Sequence, residues 1–115
     1  MTQRMPFMTS YNFGDIVLVG FPHTDLQNIS KRPALVLYDS GDEDVLVARI
    51  TAQEYVTEAD YKIVNWKACG LIAESYIRLG KQATLEKKYI IKQLGTLDSH
   101  EIKNVRIVLQ KIFLP

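Results

Sequence analysis

One cysteine (Cys69), two histidines and a net charge of +1 in 115 residues set narrow limits on the chemistry available. A single thiol excludes an internal disulfide and a cysteine-built metal site, which suits a reducing compartment and predicts a cytoplasmic location. A pI near 7.8 gives no global pull toward nucleic acid, so a polyanion ligand needs a local cluster of cations. No apolar run approaches the roughly 20 residues of a membrane span, and no apolar segment follows Arg4 as in a signal peptide. Also missing are a glycine-rich phosphate loop, a His/Cys/carboxylate set at metal-ligand spacing, and a Ser-His-Asp order. No cofactor and no metal are expected.

The composition, 47% hydrophobic and 23% charged, is that of an ordinary globular chain. The length predicts one domain over residues 1–115, with 1–10 as a flexible lead. Residues 16–21 read as a β-branched strand that Pro22 ends. Residues 23–31 read as a long polar loop, a type that tends to carry function. Pro33 is expected to open a strand over 33–39, and the turn Ser40-Gly41-Asp42-Glu43 pairs it with 44–51 as a hairpin. After a loop at 52–60 come a short strand at 61–64 and a helical turn at 65–70 stopped by Gly70. Ser75–Leu79 alternates with period two, so it has one wet face. Short strands at 82–86 and 89–94 follow, the second ended by Gly95.

From Asp98 the period becomes helical. Asp98 is the expected N-cap and Glu101 its capping-box partner. Ile102, Val105, Leu109, Ile112 and Phe113 form the apolar side. The fold class is mainly β: a strongly twisted, barrel-like sheet with a C-terminal α-helix.

Candidate functional residues cluster around the first hairpin. Pro33 forces Arg32 toward extended backbone angles, so its guanidinium either grips a phosphate bidentately or is a solvated strand end. The Thr51 hydroxyl either donates to a phosphate oxygen or satisfies the chain locally. Arg49 shares its face with Thr51 and either joins the site or pairs with a carboxylate at the hairpin. Ser75 and Arg78 have opposite parity and converge only across a bend or bulge. From Arg78 to Lys92 the chain carries Arg78, Lys81, Lys87, Lys88 and Lys92 against Glu86 alone, which is either a solvated face or an electrostatic footprint for RNA. His100 is expected in solvent, whereas His23 lies on the polar loop.

Five segments, in order and spacing, resemble the MazF/PemK family of toxins from type II toxin–antitoxin systems. They are Gly14-Asp15-Ile16-Val17-Leu18-Val19; Lys31-Arg32-Pro33-Ala34-Leu35-Val36-Leu37; Ile50-Thr51-Ala52-Gln53; Gly70 through Leu79; and Leu94-Gly95-Thr96-Leu97-Asp98. The resemblance implies an SH3-like barrel of the MazF/PemK/CcdB type and a symmetric homodimer. It also implies metal-independent, sequence-selective endoribonuclease activity on single-stranded RNA. Cleavage would use 2′-hydroxyl attack, and an antitoxin with an acidic, partly disordered tail would be the protein partner. It assigns Arg32 and Thr51 as catalytic and Arg78 as an RNA contact. Lys31, Arg49, Gln53, Ser75 and Lys81 complete the expected RNA-binding set. His23 is expected as general base from its position and a reference pKa near 6.5.

Two departures matter. Ser75 stands where one branch has an acidic catalytic residue, and Pro22-His23-Thr24-Asp25-Leu26 resembles a PemK-like subgroup. Two other function classes compete: a CcdB-like toxin that binds gyrase without nuclease activity, and a non-catalytic SH3-like binding module.

Overall fold

The computed structural model describes residues 9–22 and 29–115. His23 and the rest of 23–28 lie outside the described residues, as do residues 1–8 of the expected lead. Among the described residues, six strands form one antiparallel sheet: β1 (Asp15–Pro22), β2 (Ile29–Asp39), β3 (Asp44–Thr51), β4 (Asp60–Lys62), β5 (Tyr76–Glu86) and β6 (Ile90–Thr96). A 3-10 turn at Lys87–Tyr89 joins β5 to β6, and α1 (Ser99–Phe113) completes the chain. The spatial order is β4-β5-β3-β2-β1-β6, so the sheet stays open between β4 and β6 while keeping a barrel-like course.

Several strand boundaries depart from the sequence expectation, β4 ending at Lys62 and β6 beginning at Ile90 among them. Pro33 does not open β2 but lies within it, opposite Leu18 of β1. β3 pairs only from Ala34 onward, so at residue 33 β2 has an open side where no ladder N–H is missed. Residues 29–31 therefore belong to a strand and not to a loop. The segments 75–79 and 82–86 are one strand, β5, interrupted by a bulge. Ala48 faces Gln82 while the next residue, Arg49, faces Arg78, which loops out Leu79, Gly80 and Lys81. Gly95 does not end β6, which continues to Thr96.

Alternation sorts the apolar residues onto two faces. Ile16, Leu35, Ala48, Ile50, Ile77 and Leu79 pack with Val105 of α1 into the main core. Val17, Val19, Ala34, Val36, Val45, Val47 and Leu85 form a second cluster on the other face, joined by Tyr11, Tyr89 and Ile90. On α1, Ile102, Leu109 and Ile112 pack against the main core as expected, whereas Phe113, the last residue of the helix, is 61% exposed.

Asp98 caps α1 by accepting from the Glu101 N–H at 2.9 Å. Glu101 does not reciprocate as a capping box. Its carboxylate is fully buried and turns back to accept from the Tyr61 hydroxyl, Val64 N–H (3.2 Å) and Asn65 N–H (2.8 Å). Burial, followed by the Glu101 carboxylate, pushes the Tyr61 phenol well above its ordinary value. The expected helical turn closes as a Schellman motif. Leu71 N–H reaches Trp66 C=O and Gly70 N–H reaches Lys67 C=O, both at 3.1 Å, with Gly70 at φ +88°.

Candidate anion-binding groove

The second face of the sheet carries the functional candidates. Arg49 and Thr51 continue the alternation of Val45 and Val47, and Arg32 continues that of Val36 and Ala34. Since Ala34 faces Arg49, extending that register by two residues sets Arg32 against Thr51 where the strands splay. The β5 bulge throws Lys81 out beside them. Arg32, Arg49 and Lys81 converge on one open groove of about 440 Å³, floored by Pro33, Val47 and Ala83. Arg32 and Arg49 are exposed, and no ion pair among the described residues involves any of the three cations. Of the two sequence alternatives for Arg49, the hairpin carboxylate is therefore not taken up among the described residues.

Three guanidinium or ammonium heads around an apolar floor make a site for a multiply charged anion with a flat, apolar part. Thr51 ends β3 just beyond the groove. Its Oγ1 accepts from Gln53 N–H at 3.1 Å, which leaves the hydroxyl hydrogen free to donate. Gln53 is exposed, as is Lys31, opposite Gly20 on β2.

Other candidates are drawn elsewhere. Ser75 is buried before β5, where its hydroxyl donates to Ala73 C=O at 2.8 Å. The Arg78 guanidinium is held by Asp60, with Nε 3.1 Å from Oδ1. The basic run from Arg78 to Lys92 is likewise broken up as a footprint. Lys87 is buried against Asp39 at 2.9 Å, Lys88 meets Glu86 at 3.5 Å, and of the run only Lys81 lines the groove. His100 is exposed, with Nε2 3.2 Å from Asn104 Nδ2. No cluster of three or more His, Cys, Asp or Glu among the described residues could hold a metal ion.

Sequence reasoning missed the groove floor and the partners of Arg78. The floor was legible in principle, since Val47 and Ala83 share a face with Arg49 and Lys81 once the bulge is placed. Asp60 and Tyr55 gave no signal, because residues 52–60 have no period.

An open antiparallel sheet, with one terminal helix on one face and a cationic groove on the other, defines a small β protein of mainly antiparallel architecture. By its match to the family model over residues 12–113, the chain belongs to the PemK-like, MazF-like toxins of type II toxin–antitoxin systems. Solved structures agree on the fold. An endoribonuclease in complex with its cognate antitoxin, from a mycobacterial species, is 17% identical with a TM-score of 0.73, covering 92% of this chain and 98% of its own. The Mycobacterium tuberculosis toxin MazF-mt6 is 18% identical with a TM-score of 0.69, over 86% and 95% of the two chains. A MazE–MazF structure from Deinococcus radiodurans is 17% identical with a TM-score of 0.69, over 89% and 94%. No functionally curated protein matches the chain by sequence. No helix among the described residues is long and apolar enough to cross a membrane.

Proposed function

We propose that this protein is an endoribonuclease toxin that cleaves single-stranded RNA at the groove. The observation that carries the reading is the convergence of Arg32, Arg49 and Lys81, from three strands, on one open cationic groove. The 2′-hydroxyl of one nucleotide attacks the adjacent phosphorus. Charge builds up on the phosphorane, the bond to the 5′-oxygen breaks, and that oxygen takes a proton from water, leaving a cyclic phosphate and a 5′-hydroxyl. Arg32 and the free hydroxyl hydrogen of Thr51 are donors suited to that charge. Arg32 is a poor base, since a guanidinium holds its proton throughout the physiological range. His23 takes the 2′-hydroxyl proton, a role suited to an imidazole near neutrality. The mechanism needs no metal. An antitoxin with an acidic segment competes for the same cations, and the working form is a homodimer in the cytoplasm.

Purified protein incubated in EDTA with defined single-stranded RNA tests this directly. The expected products carry 5′-hydroxyl ends, Arg32→Ala abolishes them with the fold intact, and His23→Gln slows single-turnover cleavage by ~10²-fold. An inert wild type, or 5′-phosphate ends, overturns the reading. A His23→Gln rate within threefold of wild type removes His23 alone.

A further inference from the structure

Arg78 sits in the middle of a cross-strand row, facing Arg49 of β3 on one side and Asp60 of β4 on the other. Like charges directly opposite each other repel. Asp60 resolves the conflict by taking Arg78 for itself: the two side chains are only 2% and 16% exposed, respectively, and Nε lies 3.1 Å from Oδ1. The remaining carboxylate oxygen accepts from Thr57 N–H at 3.0 Å and Thr57 Oγ1 at 2.6 Å. Above the pair, the Arg78 guanidinium carbon lies 3.6 Å from the centroid of the Tyr55 ring, a close stacked contact.

The topology gives this cluster its meaning. β3 and β4 lie on either side of β5, so residues 52–59, which connect them, arch over β5. Arg78 stands under that arch. The near end of the arch is Thr51-Ala52-Gln53, and the far end is tied by Thr57 and Asp60, with Leu79 N–H donating to Ala59 C=O at 2.9 Å.

We propose that Tyr55, Arg78 and Asp60 form a latch that fixes the arch and thereby the placement of Thr51 and Gln53 beside the groove. Asp60 and Tyr55 are positioning residues, and Arg78 serves them instead of contacting substrate phosphate. This rests on the ribonuclease reading of the groove. By neutralising Arg78, Asp60 also leaves Arg49 as the uncompensated cation of the row. A small misplacement of a donor such as Thr51 is enough to slow a reaction that depends on preorganised geometry.

The test compares wild type with Asp60→Asn, Arg78→Gln, their double variant, Tyr55→Phe and Tyr55→Leu. Three quantities are read: single-turnover cleavage of an RNA oligonucleotide, the salt dependence of its binding, and amide hydrogen exchange over residues 51–58. The latch predicts that Asp60→Asn, Arg78→Gln and Tyr55→Leu each slow cleavage about tenfold and speed exchange of the arch. The double variant is no slower than either single one, as expected of groups acting as a unit. Tyr55→Phe stays within twofold of wild type, and the salt slope of binding is unchanged in Arg78→Gln, because Arg78 makes no phosphate contact. The proposal is overturned if Arg78→Gln lowers that slope by about 0.7, the signature of one lost phosphate contact on a single strand, while Asp60→Asn leaves rate and exchange unchanged. If the wild type does not cleave RNA at all, the ribonuclease reading fails. Exchange over 51–58 in the same variants then decides the latch by itself.

Discussion

Asp39 is a residue whose environment reverses its expected cost. Its side chain is 4% exposed against a Lys87 that is 1% exposed. Burial alone pushes its carboxyl up. The N–H groups of Tyr11 and Gly41 and the Lys87 ammonium outweigh that and hold it below the usual carboxylate range. A carboxyl lowered in the folded state stabilises the fold above its unfolded value near 3.9 and loses that contribution as pH falls through the lower folded value. Urea midpoints measured from pH 5 down to pH 2.5 therefore fall less steeply in Asp39→Asn than in wild type. Lys87→Met strands the carboxylate and costs about 3 kcal/mol at neutral pH, read as a lowered midpoint with unchanged slope. Arg32 was legible in the sequence because the following proline restricts its backbone. Lys87 was not, because nothing in a run of lysines marks the one that folds inward.

At the scale of elements, two contacts decide how the 65–70 turn and the helix join the sheet. An added Cβ at Gly95 would lie 2.2 Å from Cys69 C=O, and one at Gly70 would lie 2.0 Å from Leu94 C=O. The Schellman turn and β6 thus touch backbone to backbone. Gly95→Ala is expected to cost at least about 2 kcal/mol and to lower the thermal midpoint by roughly 8 °C or more; a variant within 2 °C of wild type would show that the crossing yields freely. The second contact is Glu101. Glu101→Ala leaves the Tyr61 hydroxyl and two backbone N–H groups without their buried acceptor, at about 3 kcal/mol or more. Glu101→Gln, which keeps one carbonyl acceptor, loses less. Periodicity revealed α1 and its Asp98 cap, and it placed Glu101 correctly along the chain. It assigned Glu101 the wrong partner, because a capping box and a tertiary anchor put the same residue type at the same spacing. The β5 bulge was read as a break between two strands for a similar reason: alternation fails at Leu79–Lys81 whether a strand ends or loops out.

Across the whole molecule, a net charge of +1 means that any RNA affinity is local. With three cations lining the groove and about 0.7 counterions released per phosphate on a single strand, log K against log salt should have a slope near −2. A slope of −5 or steeper would implicate a broader surface. Replacing Lys81 by Met should reduce the slope by about 0.7, whereas Lys87, buried in its ion pair, should not contribute. Order and spacing of the segments carried the fold to the family level, and Arg32 came with them, whereas Arg49 was read from its alternation with Thr51. The assembly of the groove did not, because it depends on a bulge that brings Lys81 across from a third strand.

The buried carboxylate on the last helix also bears on biosynthesis. Glu101 reaches back 40 residues to Tyr61, and Val105 closes the main core from the same helix. A nascent chain holding all six strands still lacks the cover of that core until α1 has left the ribosome. Translation thus delivers the groove residues before the helix that covers the core beneath their sheet, so a chain stalled before α1 holds the groove's cations on a sheet whose core is still open.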